Sequence, residues 1–194
     1  MATKTSDTEV AGITGSKFGW VMLSVTRIVL GFYFLWAFLD KLFGLGRSTC
    51  SITNDAGTIT GTDYFCDSAW IHGGHVTEGY LVYGGNASSP FHTFFVNLGP
   101  DRWTDWPFML GLLGVGIALM LGIGTKVAAW AGTAMLLFMY LTQMWPTTNP
   151  LYDEHIMYIL AILAILWLEL SHQSIGLGRW WRKLEIVKKY NWLV

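Results

Sequence analysis

The sequence predicts an all-α membrane protein: a four-helix transmembrane bundle with a long, partly helical extracytoplasmic loop after the first helix. Two observations predict it. Four apolar runs, at residues 18–39, 107–123, 127–145 and 155–170, each approach the ~17–25 residues a helix needs to cross the hydrocarbon core. Hydrocarbon offers the backbone no hydrogen bonds, so a spanning segment is a helix or part of a closed barrel, and these runs are too long and uniformly apolar for barrel strands. In addition, 53% of the 194 residues are hydrophobic and 13% charged, which fits one membrane domain with a lipid bilayer as its first partner. A net charge of −1, with no basic stripe among aromatics, gives no sign of a nucleic-acid partner.

Residues 1–17 read as a polar cytoplasmic tail. They lack the basic start, apolar stretch and small-residue cleavage site of a signal peptide, so the first span is expected to be an uncleaved anchor. No prenylation or myristoylation signal is present. Lys4 and Lys17 precede the first span, Lys126 lies in the short second connection, and Arg179, Arg182, Lys183, Lys188 and Lys189 follow the fourth, in a basic tail at 171–194. The other connections hold mainly acids. The positive-inside rule then places both termini in the cytoplasm and loop 42–106 outside, as in a multi-pass cell-membrane protein. Trp20, Trp106, Trp145, Trp180 and Trp181 fall at expected membrane boundaries, where indole rings favour the headgroup layer.

Within loop 42–106, residues 48–62 are rich in Ser, Thr, Gly and Asn and read as irregular or hairpin structure. Residues 77–83 and 90–98 read as short helices on the bilayer surface or capping the bundle. Cys50 and Cys66 both lie in this loop, on the side where disulfides persist. A bridge would close a modest loop, worth ~3 kcal/mol in the chain-entropy view; two unpaired thiols are the alternative. Asn86-Ala87-Ser88 matches an N-glycosylation sequon, a triplet common by chance. Further on, Gly111, Gly114, Ala118 and Gly122 form a small-residue seam on the second span, answered by Ala128 and Gly132 on the third, and such seams let membrane helices approach closely. The connection around 124–126 is short enough to force an antiparallel hairpin.

Ionisable groups inside a bilayer are costly, so each needs a partner or a purpose. Arg27 lies within the first span, and Glu169 is the acid at comparable depth. Three readings stay open for Arg27: an ion pair with Glu169, a guanidinium holding a polar head group such as a quinone carbonyl, or snorkelling to the inner headgroups. At the outer face gather Asp40, Lys41, Thr142, Gln143, Asn149, Asp153, Glu154 and His155. Asp153 suits the N-cap of the fourth helix, and His155 beside carboxylates can exchange protons near neutral pH, although a structural role suits a membrane-boundary histidine as well. His72-x-x-His75 with Glu78, and His92, raise the question of a metal, but Gly73-Gly74 marks a turn and no four-ligand set emerges. Phosphate loops, dinucleotide fingerprints and axial haem histidines are missing from the sequence, which also lacks any flavin motif.

Several segments, in order, resemble the DoxX/DoxD superfamily, in particular DoxD-like membrane subunits of thiosulfate:quinone oxidoreductase. They are Arg27-Ile28-Val29-Leu30-Gly31 with Asp40-Lys41-Leu42, Trp70-Ile71-His72-Gly73-Gly74 leading to Thr77-Glu78-Gly79-Tyr80-Leu81, and Pro90-Phe91 with Phe94-Phe95. Gly111-Leu112 through Leu121-Gly122, and Asn149-Pro150 with Asp153-Glu154-His155-Ile156 and Tyr158, complete the set. The insertion at 48–62 and His75-Val76, in place of a more usual Ser-Pro, depart from the family pattern. The resemblance implies a four-helix membrane fold, quinone as cofactor, a small sulfur anion such as thiosulfate as substrate, and a second membrane or peripheral subunit. On that reading Arg27 and Gln143 hold the quinone, and His155, Asp153, Glu154, Asp40 and Lys41 handle protons and the anion. The competing expectation is a non-catalytic accessory subunit of a larger membrane complex; a small transporter fits less well, since no broken-helix pair or inverted repeat is visible.

Overall fold

Four long helices set the architecture. The computed structural model describes residues 17–55, 58–146, 149 and 151–194, so Lys4, the rest of the expected tail before Lys17, and Pro150 of the Asn149-Pro150 motif lie outside the described residues. In chain order the helices are α1 (Lys17–Phe43), α2 (His92–Leu98), α3 (Asp105–Leu121), α4 (Thr125–Thr142), α5 (Glu154–His172), α6 (Gly178–Trp181) and α7 (Glu185–Lys189). A small hairpin, β1 (Ser51–Thr53) and β2 (Ile59–Thr62), pairs antiparallel with Ser51 opposite Thr62. The chain is thus mostly helical. Two helical stretches, Lys17–Phe43 and Arg102–Leu121, are long and apolar enough to cross a membrane.

The four apolar runs correspond to α1, α3, α4 and α5. The largest difference is at the end of α1, which continues to Phe43 where the apolar run stops at Leu39. Asp40 is the reason: its carboxylate is buried under the following turn, so a charged residue sits inside the helix without ending it. Helix α3 stops at Gly122, whose left-handed φ of 72° brings its amide to the Ala118 carbonyl at 2.8 Å. The hairpin to α4 is correspondingly tight. Helix α5 starts at Asp153, whose Oδ1 accepts the His155 amide at 3.0 Å, the expected N-cap.

The long helices form a ring in which α1 packs on α3 and α5, and α4 packs on the same two. Its centre holds Phe34, Met109, Leu112, Leu136 and Ile162, all nearly inaccessible. The outside is apolar as well: Val29, Leu110, Trp130, Phe138, Leu160 and Trp167 are exposed.

The closest helix contact differs from the small-residue seam expected of α3. A Cβ on Gly31 of α1 would lie 2.6 Å from the Met120 amide nitrogen, and one on Gly116 would lie 2.8 Å from that of Leu35. Gly111 instead faces Met135, and Gly114 faces open space. At roughly 100° of rotation per residue, Gly114 and Gly116 occupy opposite sides of α3, so spacing alone could not assign the contact face.

In loop 42–106, Cys50 and Cys66 form a disulfide across the base of the hairpin. Residues 79–84 make a π-helical turn above the bundle, and α2 follows, in keeping with the expected capping segments.

Gly31→Ala is expected to destabilise the protein by about 1–3 kcal/mol, because the added methyl meets backbone rather than a movable side chain. Gly114→Ala, which fills open space, is expected to be neutral or slightly stabilising. Thermal unfolding in detergent, followed by circular dichroism, checks the contrast.

Candidate functional site

Two polar regions occupy opposite ends of the ring. At the end where α3 and α5 finish, Arg27 is fully buried and its Nε donates to Glu169 Oε2 at 2.8 Å. Nη1 donates to the Leu119 carbonyl and, at 3.2 Å, to that of Met120, while Nη2 donates to the Ile175 carbonyl. Ser24 Oγ donates to Glu169 Oε1 at 2.6 Å and accepts the amides of Ser174 and Ile175. Of the three sequence readings for Arg27, the ion pair is formed, and the buried guanidinium does not snorkel.

These bonds follow from the helix ends. The last carbonyls of α3 and the turn after α5 lack intrahelical donors, and a cation is favoured at a helix C-terminus. Gln173 joins the same knot, with Nε2 donating to the Gly122 carbonyl at 3.1 Å. Gly122 and Gly178 leave it room, since a Cβ on either would overlap the Gln173 amide. The remaining space, bounded by Glu169, Gln173 and Arg182, is about 10 Å³. It admits no aromatic ring.

At the opposite end, Asp40 and Lys41 serve the first turn of the loop. Asp40 Oδ1 accepts the Arg47 amide at 3.0 Å; Oδ2 accepts the Ser48 amide, the Ser48 hydroxyl and the Thr49 amide at 2.9, 2.7 and 3.1 Å. Lys41 Nζ donates to Ser48 Oγ at 2.9 Å and lies 6.0 Å from the Phe108 ring centre. Among the described residues, no hydrogen bond links either side chain to Asp153, Glu154 or His155.

The Asp153–His155 pair forms a separate unit at the start of α5. Its Oδ2–Nδ1 distance is 2.7 Å, and both side chains are more than nine-tenths buried. Nearby, Tyr33 and Tyr158 pack with ring centres 5.0 Å apart. Tyr80, from the π-helical turn, donates to the Met139 carbonyl at 3.2 Å and accepts from Thr142 Oγ1 at 3.0 Å. Burial pushes the Tyr80 phenol above its ordinary value, opposed by the hydrogen bonds of Thr142 and Gln143 and aided by the charges of Asp153 and Glu154. Gln143 also belongs to this end, its amide donating to the Gly84 carbonyl of the same turn.

A further pair escaped the sequence reading. Asp105, at the start of α3, accepts the Thr77 amide and hydroxyl at 2.9 and 2.7 Å and holds His75 Nδ1 at 3.0 Å. His75 Nε2 is buried without a partner among the described residues. Beside them opens a cleft of about 420 Å³ lined by Trp70, Gly73, Gly74, Arg102, Asp105 and Trp106. No local spacing could reveal it, because His75 and Asp105 stand thirty residues apart. Of the residues weighed for a metal, His72 Nδ1 is 3.2 Å from the Cys66 carbonyl oxygen, and His75 Nδ1 is held by Asp105. At the sequon, the Asn86 amide nitrogen is bonded to the Trp145 carbonyl at 2.8 Å.

Removing one partner of the Arg27–Glu169 pair leaves a buried charge uncompensated. Glu169→Leu is therefore expected to lower stability by about 3–5 kcal/mol, and Arg27→Met with Glu169→Leu together to remove the stray charge without restoring full stability, because the Leu119, Met120 and Ile175 carbonyls then lose their donor. Chemical denaturation of the two variants and the unaltered protein in detergent measures the difference.

Against this geometry, no family model, no curated protein and no solved structure matches the chain.

Proposed function

We propose that this chain is the integral membrane subunit of a quinone-linked oxidoreductase, of the thiosulfate:quinone kind. In this reading α1, α3, α4 and α5 all span the cell membrane, both termini are cytoplasmic, and loop 42–106 is extracytoplasmic. The exposed apolar side chains on all four helices, with Ser24, Arg27 and Glu169 buried at one end of the ring, support the membrane assignment, since water would favour polar side chains on the outside. The observation that carries the chemistry is the His155–Asp153 pair at the outer end, beside the tyrosines.

That donor set fits a quinone head, whose two carbonyl oxygens need hydrogen-bond donors and a proton source. The Arg27 end does not fit: its nitrogens are engaged and the adjoining space is too small. A bound quinone supplies the two-electron acceptor. Asp153 Oδ2 orients the His155 ring through Nδ1, leaving Nε2 as the nitrogen that would pass a proton to or from a quinone carbonyl held there. Tyr80, held by Thr142 and the Met139 carbonyl, orients a phenol at the same end. A partner subunit provides the site at which the sulfur anion is oxidised.

A second reading is an accessory subunit without turnover. It is favoured by Arg27 and Asp40, whose polar atoms are committed to helix ends and a loop turn. Thiosulfate-dependent quinone reduction by the purified complex separates the two. In the catalytic reading His155→Ala lowers kcat by about 10²–10⁴ while complex assembly is retained. Full activity in His155→Ala and Tyr80→Phe, with the complex intact, would establish the accessory role instead.

A further inference from the structure

The segment after α5 is the most cationic part of the chain. Between His172 and Val194 it carries five basic side chains against Glu185 alone. It is a folded plate rather than a loose tail. The Leu177 amide donates to the Leu121 carbonyl at 2.8 Å, pinning it to the end of α3. The Lys126 amide donates to the Val194 carbonyl at 2.8 Å, and Lys126 Nζ to that of Asn191 at 2.9 Å, pinning it to the start of α4. Trp181 Nε1 donates to the Leu193 carbonyl at 2.7 Å, and Val187 is buried.

With its inner side fastened, the plate exposes Trp180, Ile186 and Trp192 at 57–62% of their surface. Arg179, Lys183, Lys188 and Lys189 are exposed around them. Apolar rings and cations together, on a rigid surface at one end of an apolar bundle, match the headgroup layer: rings enter the acyl boundary while cations meet phosphates. Water alone suits the cations and leaves the rings exposed. A neutral lipid surface suits the rings and gives the charge no counterpart.

We infer that residues 175–194 form a membrane-surface plate that selects anionic phospholipid headgroups. This rests on the membrane reading above. The partner is a lipid surface of negative charge, and the attraction is worth about fivefold in lipid preference for each cation near the surface.

The test uses the full chain reconstituted in vesicles of phosphatidylcholine with phosphatidylglycerol, with one lipid or the other carrying brominated chains. Brominated phosphatidylglycerol is expected to quench tryptophan fluorescence more than brominated phosphatidylcholine at equal mole fraction. That excess is expected to vanish in Trp180→Phe/Trp192→Phe, which removes the reporting rings, and to vanish in Arg179→Gln/Lys183→Gln/Lys189→Gln, which removes the attraction. It should also shrink as salt is raised. Equal quenching by both lipids, or an excess that survives the charge variant, overturns the inference. So does protection of Trp180 and Trp192 by a co-purified polypeptide, which would assign the face to a protein partner. Flotation of the vesicles separates the two levels: a chain that does not float with lipid refutes the membrane reading itself, whereas one that floats without the excess refutes the plate alone.

Discussion

The arrangement of the helices depends on one buried guanidinium. Arg27 reaches from α1 to the last carbonyls of α3 and to the turn after α5, while Glu169 of α5 holds its charge. Each carbonyl would otherwise face an apolar interior with no donor, at a cost of roughly 1–3 kcal/mol. The ion pair itself adds little net stability compared with a well-packed apolar pair, because two charges must first leave water. Its effect is on geometry. Only one relative placement of α1, α3 and α5 satisfies all those bonds together, and the backbone approach at Gly31 and Gly116 is the packing side of the same constraint.

Buried carboxylates play a related part at the other end. Asp105 and Asp153 sit at the starts of α3 and α5, where a negative charge is favoured by the helix dipole, and both gather backbone amides. Asp40, near the end of α1, lacks that benefit and is offset by four hydrogen bonds from residues 47–49. The difference decides what each carboxylate has left. Asp40 is enclosed by a loop, whereas Asp105 and Asp153 each hold a histidine. Two histidine–carboxylate pairs therefore stand at one end of the bundle, and the Arg27–Glu169 pair at the other.

Much of this arrangement was legible in the sequence, and the limits have physical causes. Helix positions came from long apolar runs, a property of the local chain. The Arg27–Glu169 pair was legible because few ionisable groups lie so deep, so few partners compete. The capping of Leu119, Met120 and Ile175 was not, since any residue offers the same carbonyl. The His75–Asp105 pair and the Trp70–Trp106 cleft depend on where a long loop folds back, and adjacency in sequence suggested His72 as the partner of His75 instead. Asp40 and His155 appeared as one polar group because both border the outer face. Side-chain direction separated them: one carboxylate turns under its own helix end, and the other side chain stands on α5.

The commitment of Arg27 also decides where ligand chemistry can reside. To hold a head group, the guanidinium would have to release Glu169 or a helix-end carbonyl, leaving a charged or polar group buried without a partner. Breaking such a pair costs about 3–5 kcal/mol, a large share of the roughly 8 kcal/mol that accompanies micromolar binding. No comparable loss attends the opposite end. There the His155 ring already has its orienting carboxylate on Nδ1 and can use Nε2, and Tyr80 is fixed by Thr142 and a backbone carbonyl without enclosing a charge. The engagement of every Arg27 nitrogen and both Glu169 oxygens marks that knot as the part that holds the helices in place. The histidine at the start of α5 is held by Asp153 through one ring nitrogen only, so a contact made at the other nitrogen leaves that bond and the helix start as they are.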